Sequence, residues 1–130
     1  MVSNVMIEGS KQRVRDANNG HLVTPIYKQT KRERLRHLRT MMLIHSCIYY
    51  KMHSTVISDD MWQKLANELV DLQKDYTDDI EWYDDEFRGW SGDTGMHLPF
   101  DSWVINKSMY VIRLHANPPE TKEDDGYFYY

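Results

Sequence analysis

Two helix-start signals, each followed by apolar residues at helical spacing, constrain the fold of this chain most strongly. Thr30 is followed three residues later by Glu33, a capping-box pattern in which the hydroxyl and the carboxylate each bind an amide of the first turn. Ser58 is a favourable N-cap, and the two aspartates behind it suit the positive end of a helix dipole. We therefore predict one helix from about residue 30 to 52 and a second from 58 to about 76.

Apolar side chains recur every three or four residues along both segments and along a third, which indicates helices packed on a core. The third helix is predicted from about residue 101 to 116, because the Pro-Pro pair after Asn117 stops it. The stripes are Leu35, Leu38, Met42, Ile44, Cys47 and Ile48, then Met61, Trp62, Leu65, Leu69, Leu72 and Tyr76, and finally Val104, Ser108, Val111 and His115. The predicted fold is mainly α, a helix pair plus a third helix, with a long aromatic and acidic loop over 78–100.

The chain length fits one domain, with the helical domain over 30–116. Residues 1–29 are poor in large apolar side chains, and we predict a basic arm with a turn at Asn19-Gly20. This arm either docks loosely through its last apolar residues or orders only on meeting a partner. Residues 117–130 are predicted to form an acidic and aromatic tail.

The lone Cys47 lies in an apolar run and is predicted to be a buried, inert thiol. No apolar run is long enough to span a membrane, and residues 1–20 lack a signal-peptide core. These features favour a cytoplasmic protein.

The net charge of −4 hides a strong split along the chain. Residues 1–58 hold ten Lys/Arg against three Asp/Glu, whereas residues 59–101 hold three against thirteen. Such a division indicates either two partner surfaces or pairing between the halves. The basic side chains of the first helix are expected to face water and could follow a phosphate backbone. They are Lys31, Arg32, Arg34, Arg36 and Arg39.

The acidic loop offers the opposite surface. Its carboxylates could imitate the charge of nucleic acid and occupy a basic groove of a partner, with an aromatic side chain supplying contact area. The alternative is an ordinary acidic loop. The candidate contact residues are Asp78, Asp79, Trp82, Asp84, Asp85 and Glu86.

The junction between the first two helices gathers a third set of polar and aromatic residues. Tyr49 and Tyr50 end one helix, Asp59 begins the next, and Trp62 and Gln63 follow one turn later. Flat rings, hydroxyls and a carboxylate could stack a heteroaromatic ring and bind its substituents. Tyrosine and tryptophan at helical spacing could equally be core, with the aspartate serving as a helix-start charge.

This junction resembles the small helical subdomain at the N-terminus of bacterial NAD-dependent DNA ligases. In that family a Tyr-His pair, an Asp at a helix start and a Tyr-Asp pair contact nicotinamide mononucleotide. Tyr49 and Asp59 match, while Tyr50, Trp62 and Gln63 stand where the family has His, Tyr and Asp. The similarity covers about residues 35–76, including a Leu-x-x-Glu-Leu continuation at 65–69.

Beyond that segment the chain is similar to small phage proteins described as ligase-related. The shared features are a Gly-Asp-Thr-Gly-x-x-Leu-Pro loop at 92–99 and a Trp-Val-x-x-Lys helix at 103–107. The resemblance implies a phage origin. Ligase activity needs a Lys-x-Asp-Gly motif in a large β-rich domain, and the nearest match, at 122–126, is one residue too long. We therefore expect no enzymatic activity.

Three functions follow as hypotheses. The first is a phage accessory protein in the host cytoplasm that binds a host protein or protein–nucleic acid complex without a cofactor, as an inhibitor of a defence nuclease of the CRISPR type would. The second is a module that binds NAD or nicotinamide mononucleotide at the junction. The third is a nucleic-acid binder using the basic first helix. His97 and His115 could join an acidic-loop carboxylate as metal ligands, but ordinary surface histidines are the expected alternative.

Overall fold

The computed structural model describes residues 28–117. This range contains four helices and no strand. They are α1 (Lys31–Lys51), α2 (Asp59–Asp75), α3 (Asp84–Phe87) and α4 (Ser102–Ala116). The predicted mainly α fold is confirmed. The predictions for the Asn19-Gly20 turn, the arm up to residue 27, and the tail from 118, including the 122–126 segment, lie outside the described residues. Within the described range, no helix is both long and apolar enough to cross a membrane.

The three long helices begin where the sequence predicts because side chains cap their first turns. At α1 the Thr30 hydroxyl accepts from the Glu33 amide at 3.1 Å, and the Glu33 carboxylate accepts from the Thr30 amide at 2.9 Å. The Ser58 hydroxyl accepts from the third residue of α2, and the Asp101 carboxylate caps α4 in the same way. These contacts satisfy amides that a helix cannot bond internally.

Helix α1 runs through the core, with α2 and α4 packed against it. All twelve residues from His37 to Ile48 are buried, including Cys47 as predicted. Twelve consecutive residues cannot lie on one face of a helix, so α1 is covered on every side at this height. The Ser108 hydroxyl of α4 donates to the Ile44 carbonyl at 3.3 Å and ties these two helices together.

The predicted stripes of α2 and α4 are correct in the middle and wrong at one end each. Leu65 and Leu69 are buried, but Met61 is 41 % exposed. Adjacent helical residues point about 100° apart, and Trp62 takes the place against the core. In α4 the row Val104, Ser108 and Val111 is buried, whereas the last member, in the final turn, is exposed.

The segment between α2 and α4 contains α3, which the sequence did not predict. Three apolar side chains of this segment, Ile80, Phe87 and Leu98, are buried. The N-cap of α3, Tyr83, has a left-handed backbone conformation (φ +58°) and makes no capping side-chain hydrogen bond. The usual helix-start signal is therefore missing. The turn before it is held by the Asp84 carboxylate, which accepts from the amides of residues 80 and 81.

Candidate functional site at the helix junction

One cavity of about 230 Å³ opens at the junction of α1 and α2. Its walls come from the end of α1, the 52–58 link, the start of α2 and the loop at 91–95, which we call the rim loop. The lining residues are Tyr49, Tyr50, Asp59, Trp62 and Gln63, together with His45, Ser46, Thr55, Val56, Ile57, Asp93 and Thr94. The structure therefore brings together all five residues proposed for a ligand from the sequence.

The cavity exists because α1 stops abruptly. The Met52 amide bonds back to the carbonyls of Cys47 and Ile48, each at 3.3 Å, and His53 adopts a left-handed backbone conformation (φ +51°). A short link then leads to the Ser58 cap. The last turn of α1 and the first turn of α2 are consequently neighbours, which places tyrosines opposite a helix-start carboxylate.

Three of the side chains that line the cavity are tyrosine or tryptophan. The rings of Tyr49 and Tyr50 meet edge to face, with centroids 4.9 Å apart and planes at 89°. Tyr49 is 53 % exposed, so it is available to a ligand rather than part of the core. Trp62 is half-buried, and its indole N–H donates to the Ser46 hydroxyl at 3.2 Å.

The rim loop is fastened to both helices. The Tyr50 and Thr94 hydroxyls are 3.0 Å apart, and the Gln63 amide donates to the Gly92 carbonyl at 3.1 Å. Gly95 lies so close to α1 that an added Cβ would collide with the Ser46 side chain. Gln63 thus holds the cavity rim in addition to lining the cavity.

His45 is one lining residue that sequence reasoning missed. It lies one turn before Tyr49 on α1, is only 5 % exposed, and lines the cavity. Its Nδ1 is buried and makes no hydrogen bond within the described structure. Burial lowers the pKa of His45 to about 4, so the ring is neutral at pH 7. The i, i+4 spacing to Tyr49 was the available signal.

The acidic residues proposed for a partner divide into two groups. Asp78, Asp79, Asp85 and Glu86 are exposed. Trp82 and Asp84 instead belong to the structure: the Trp82 indole donates to Thr40 at 2.9 Å, and Asp84 pairs with Arg39 at 2.7 Å.

The Asp84 carboxylate is held ionised by its surroundings. Burial acts to raise the pKa of Asp84, but the Arg39 guanidinium and the amides of Ile80 and Glu81 outweigh burial and lower that pKa. The carboxylate is thereby committed to shaping the loop.

The expectation that the arginines of α1 face water is wrong for Arg34 and Arg39. Arg39 is buried, and Arg34 forms a two-pronged ion pair with Glu68 at 2.6 and 2.7 Å. Arg32 is exposed but donates to the carbonyls of residues 79 and 80, and the Arg36 guanidinium lies 3.8 Å from the centroid of Trp82. The acidic half of the chain supplies these partners, which a lone helix could not show. Lys31 is exposed.

The described residues contain no group of three His, Cys, Asp or Glu side chains arranged to hold a metal ion. His97 and His115, considered as ligands from the sequence, are both exposed.

Comparison with known proteins adds no relative: no family model, curated protein or solved structure matches this chain. The resemblance to the ligase subdomain therefore rests on the residues quoted for it.

Proposed function

We propose that this protein is a binding module for the nicotinamide ring of NAD or nicotinamide mononucleotide, held at the junction of α1 and α2. The observation that carries the proposal is that Tyr49, Tyr50, Asp59, Trp62 and Gln63 line one cavity. Two of these positions, Tyr49 and Asp59, match the ligase subdomain in residue type. At the other three stand Tyr50, Trp62 and Gln63, so aromatic rings are kept at two of them and the family's second carboxylate is replaced by an amide.

The size of the cavity sets what can enter. Sites for drug-sized molecules usually measure about 300–1,000 Å³, so a cavity of about 230 Å³ suits a single substituted ring with part of its sugar. The remainder of a dinucleotide would lie outside. A ligand of so few enclosed atoms should bind with a dissociation constant of about 10 μM to 1 mM.

The chemistry of the walls suits such a ring. Tyrosine and tryptophan faces stack planar heterocycles, while the Asp59 carboxylate and the Thr55 and Thr94 hydroxyls offer hydrogen bonds at the edges. The groups are suited to holding a ring, and we propose binding rather than catalysis as the activity.

Calorimetric titration with nicotinamide mononucleotide and with NAD tests this proposal. Tyr49→Ala and Asp59→Asn should each weaken binding about fivefold or more, since each removes one contact of roughly 1 kcal/mol. Asp60→Asn is the matched control, because Asp60 neighbours Asp59 in the same turn but does not line the cavity. Absence of measurable binding to the wild-type protein at millimolar ligand would refute the proposal.

A second candidate is the phage accessory protein that binds a host macromolecule, such as a defence nuclease of the CRISPR type, as an inhibitor. The supporting observation is the exposed group Asp78, Asp79, Asp85 and Glu86 on one short segment. Reversing these four charges to lysine should abolish binding to such a nuclease without unfolding the protein. Reversing Asp71 and Asp75, exposed on α2, is the control. Equal loss in both variants would point to net charge rather than to this surface.

A further inference from the structure

Among the described residues that line the junction cavity, the charged side chains are both acidic. Asp59 and Asp93 line it, and none of the described lining residues is lysine or arginine. The single imidazole, His45, adds no positive charge because burial keeps it neutral at pH 7. A negatively charged group inside this cavity would meet two carboxylates and, among the described lining residues, no counter-charge, whereas a cation would be stabilised.

The aromatic walls favour the same sign of charge. The faces of tyrosine and tryptophan attract cations through their quadrupoles, and aromatic cages for quaternary ammonium groups combine such rings with carboxylates. Tyr49 and Tyr50 present rings at right angles, and Trp62 adds a third. A planar cation can lie against one ring while its edge meets another.

His45 specifies a further property of the ligand. Its buried Nδ1 makes no hydrogen bond within the described structure, and a buried polar atom without a partner is destabilising. A carboxamide can both donate and accept, so it can satisfy a neutral imidazole in either tautomer, whereas a carboxylate can only accept. A carboxylate at the same position of the ring would also add a negative charge beside Asp59 and Asp93, which is unfavourable.

We propose that the cavity selects a planar, positively charged, N-alkylated ring bearing a carboxamide, and that it recognises no phosphate. This inference rests on the proposed function and narrows it. The oxidised pyridinium form of the nicotinamide ring fits, whereas the uncharged base and the nicotinic acid anion do not. A cavity of about 230 Å³ suits the ring with part of its sugar, so a phosphate attached through the ribose would extend out of it.

A matched set of small ligands tests the charge selection by calorimetry on the full chain. 1-Methylnicotinamide is a cation, whereas 6-methylnicotinamide is a neutral analogue with the same ring, carboxamide and an added methyl group on carbon. We expect the cation to bind about tenfold more tightly. Asp59→Asn should reduce this ratio to about threefold or less, while Asp60→Asn leaves it unchanged. Nicotinic acid should show no measurable binding.

Whether the phosphate contributes to binding is tested by comparing nicotinamide mononucleotide with its riboside, which lacks only the phosphate. Dissociation constants within about threefold of each other support the inference. Equal affinity for the two methylated nicotinamides, or a riboside that binds much more weakly than the mononucleotide, would overturn the inference while leaving nicotinamide binding intact. If neither the mononucleotide nor any small ring binds, both the inference and the proposed function fail.

Discussion

Among single residues, Arg39 connects α1 both to α2 and to the loop that follows α2. Its guanidinium donates to the Gln73 side chain on α2 at 2.9 Å, to the Trp82 carbonyl at 2.9 Å, and to Asp84 at 2.7 Å. It also lies over the Phe87 ring, 5.6 Å from the centroid. The sequence placed this arginine on a basic face in water because its partners lie 34 to 45 residues away.

Replacing Arg39 by methionine should lower the free energy of unfolding by about 3–5 kcal/mol, since its partners would stay enclosed without a donor. Urea denaturation measures this change. Arg88→Met is the control, because Arg88 pairs with Asp79 and Asp85 on the exposed surface. No difference between the two variants would contradict the role given to Arg39.

The two buried histidines of α1 should make the fold sensitive to mild acid. Burial, assisted at His37 by the nearby Arg34 charge, lowers the pKa of both His37 and His45 from 6.5 to about 4. The unfolded chain therefore binds more protons than the folded chain once the pH falls below 6.5. Stability is complete above that pH and declines as the pH falls toward 4, by up to about 3 kcal/mol per histidine.

Urea denaturation at pH 7.5, 6 and 5 checks this decline. Asp84 acts only at lower pH, because the Arg39 guanidinium and the amides of residues 80 and 81 hold the pKa of its carboxyl below the ordinary value. The histidines consequently dominate the upper window. His53→Gln changes an exposed histidine and should leave the pH profile unaltered. Unchanged stability between pH 7.5 and 5 would show that His37 and His45 are accessible to protons in the folded state.

At the scale of elements, the sequence predicts those helices whose start signal and apolar periodicity both lie within the helical segment itself. The three long helices have a capping side chain and an apolar period within a single segment, so their bounds agree with the structure to within about a residue or two. Helix α3 has neither. It forms because the Asp84 carboxylate, which is paired with Arg39, accepts hydrogen bonds from the amides of residues 80 and 81.

The rim loop shows the same dependence on distant contacts. Its Gly-Asp-Thr-Gly motif was recognised, but its position over the junction is decided by Tyr50, Gln63 and Ser46. The five ligand candidates were predictable because both helix ends are local features. His45 and Asp93 were not identified as lining residues, since only the folded corner brings them together.

Gly95→Ala should displace the rim loop and weaken ligand binding, because its methyl group would enter the space of the Ser46 side chain. Calorimetry with nicotinamide mononucleotide measures the loss, expected to be about tenfold. Gly89→Ala is the control: Gly89 has a positive φ but open space around it. That variant should cost stability of about 1 kcal/mol without changing affinity. Equal ligand affinity of the wild type and both variants would show that the rim loop does not contribute to ligand binding.

Across the molecule, the charge split of the sequence is resolved partly by internal pairing. Arg34 with Glu68 and Arg39 with Asp84 join the basic first helix to the acidic half. The sequence allowed both this pairing and two separate partner surfaces. The arrangement leaves the carboxylates of 78–86 largely outward and the arginines of α1 largely engaged. This arrangement gives no support to the hypothesis that the arginines of α1 bind a phosphate backbone.

The most direct test of a ring-binding junction is an NMR titration of the ¹⁵N-labelled protein with nicotinamide mononucleotide, following the tryptophan indole signals. The Trp62 N–H bonds to Ser46 at the cavity, whereas the Trp82 N–H bonds to Thr40 elsewhere on α1. We expect the Trp62 signal to shift in a saturable way, together with amides of 45–63 and 91–95, while the Trp82 signal stays in place. Absence of any saturable shift, or a shift confined to Trp82, would contradict ligand binding at the junction.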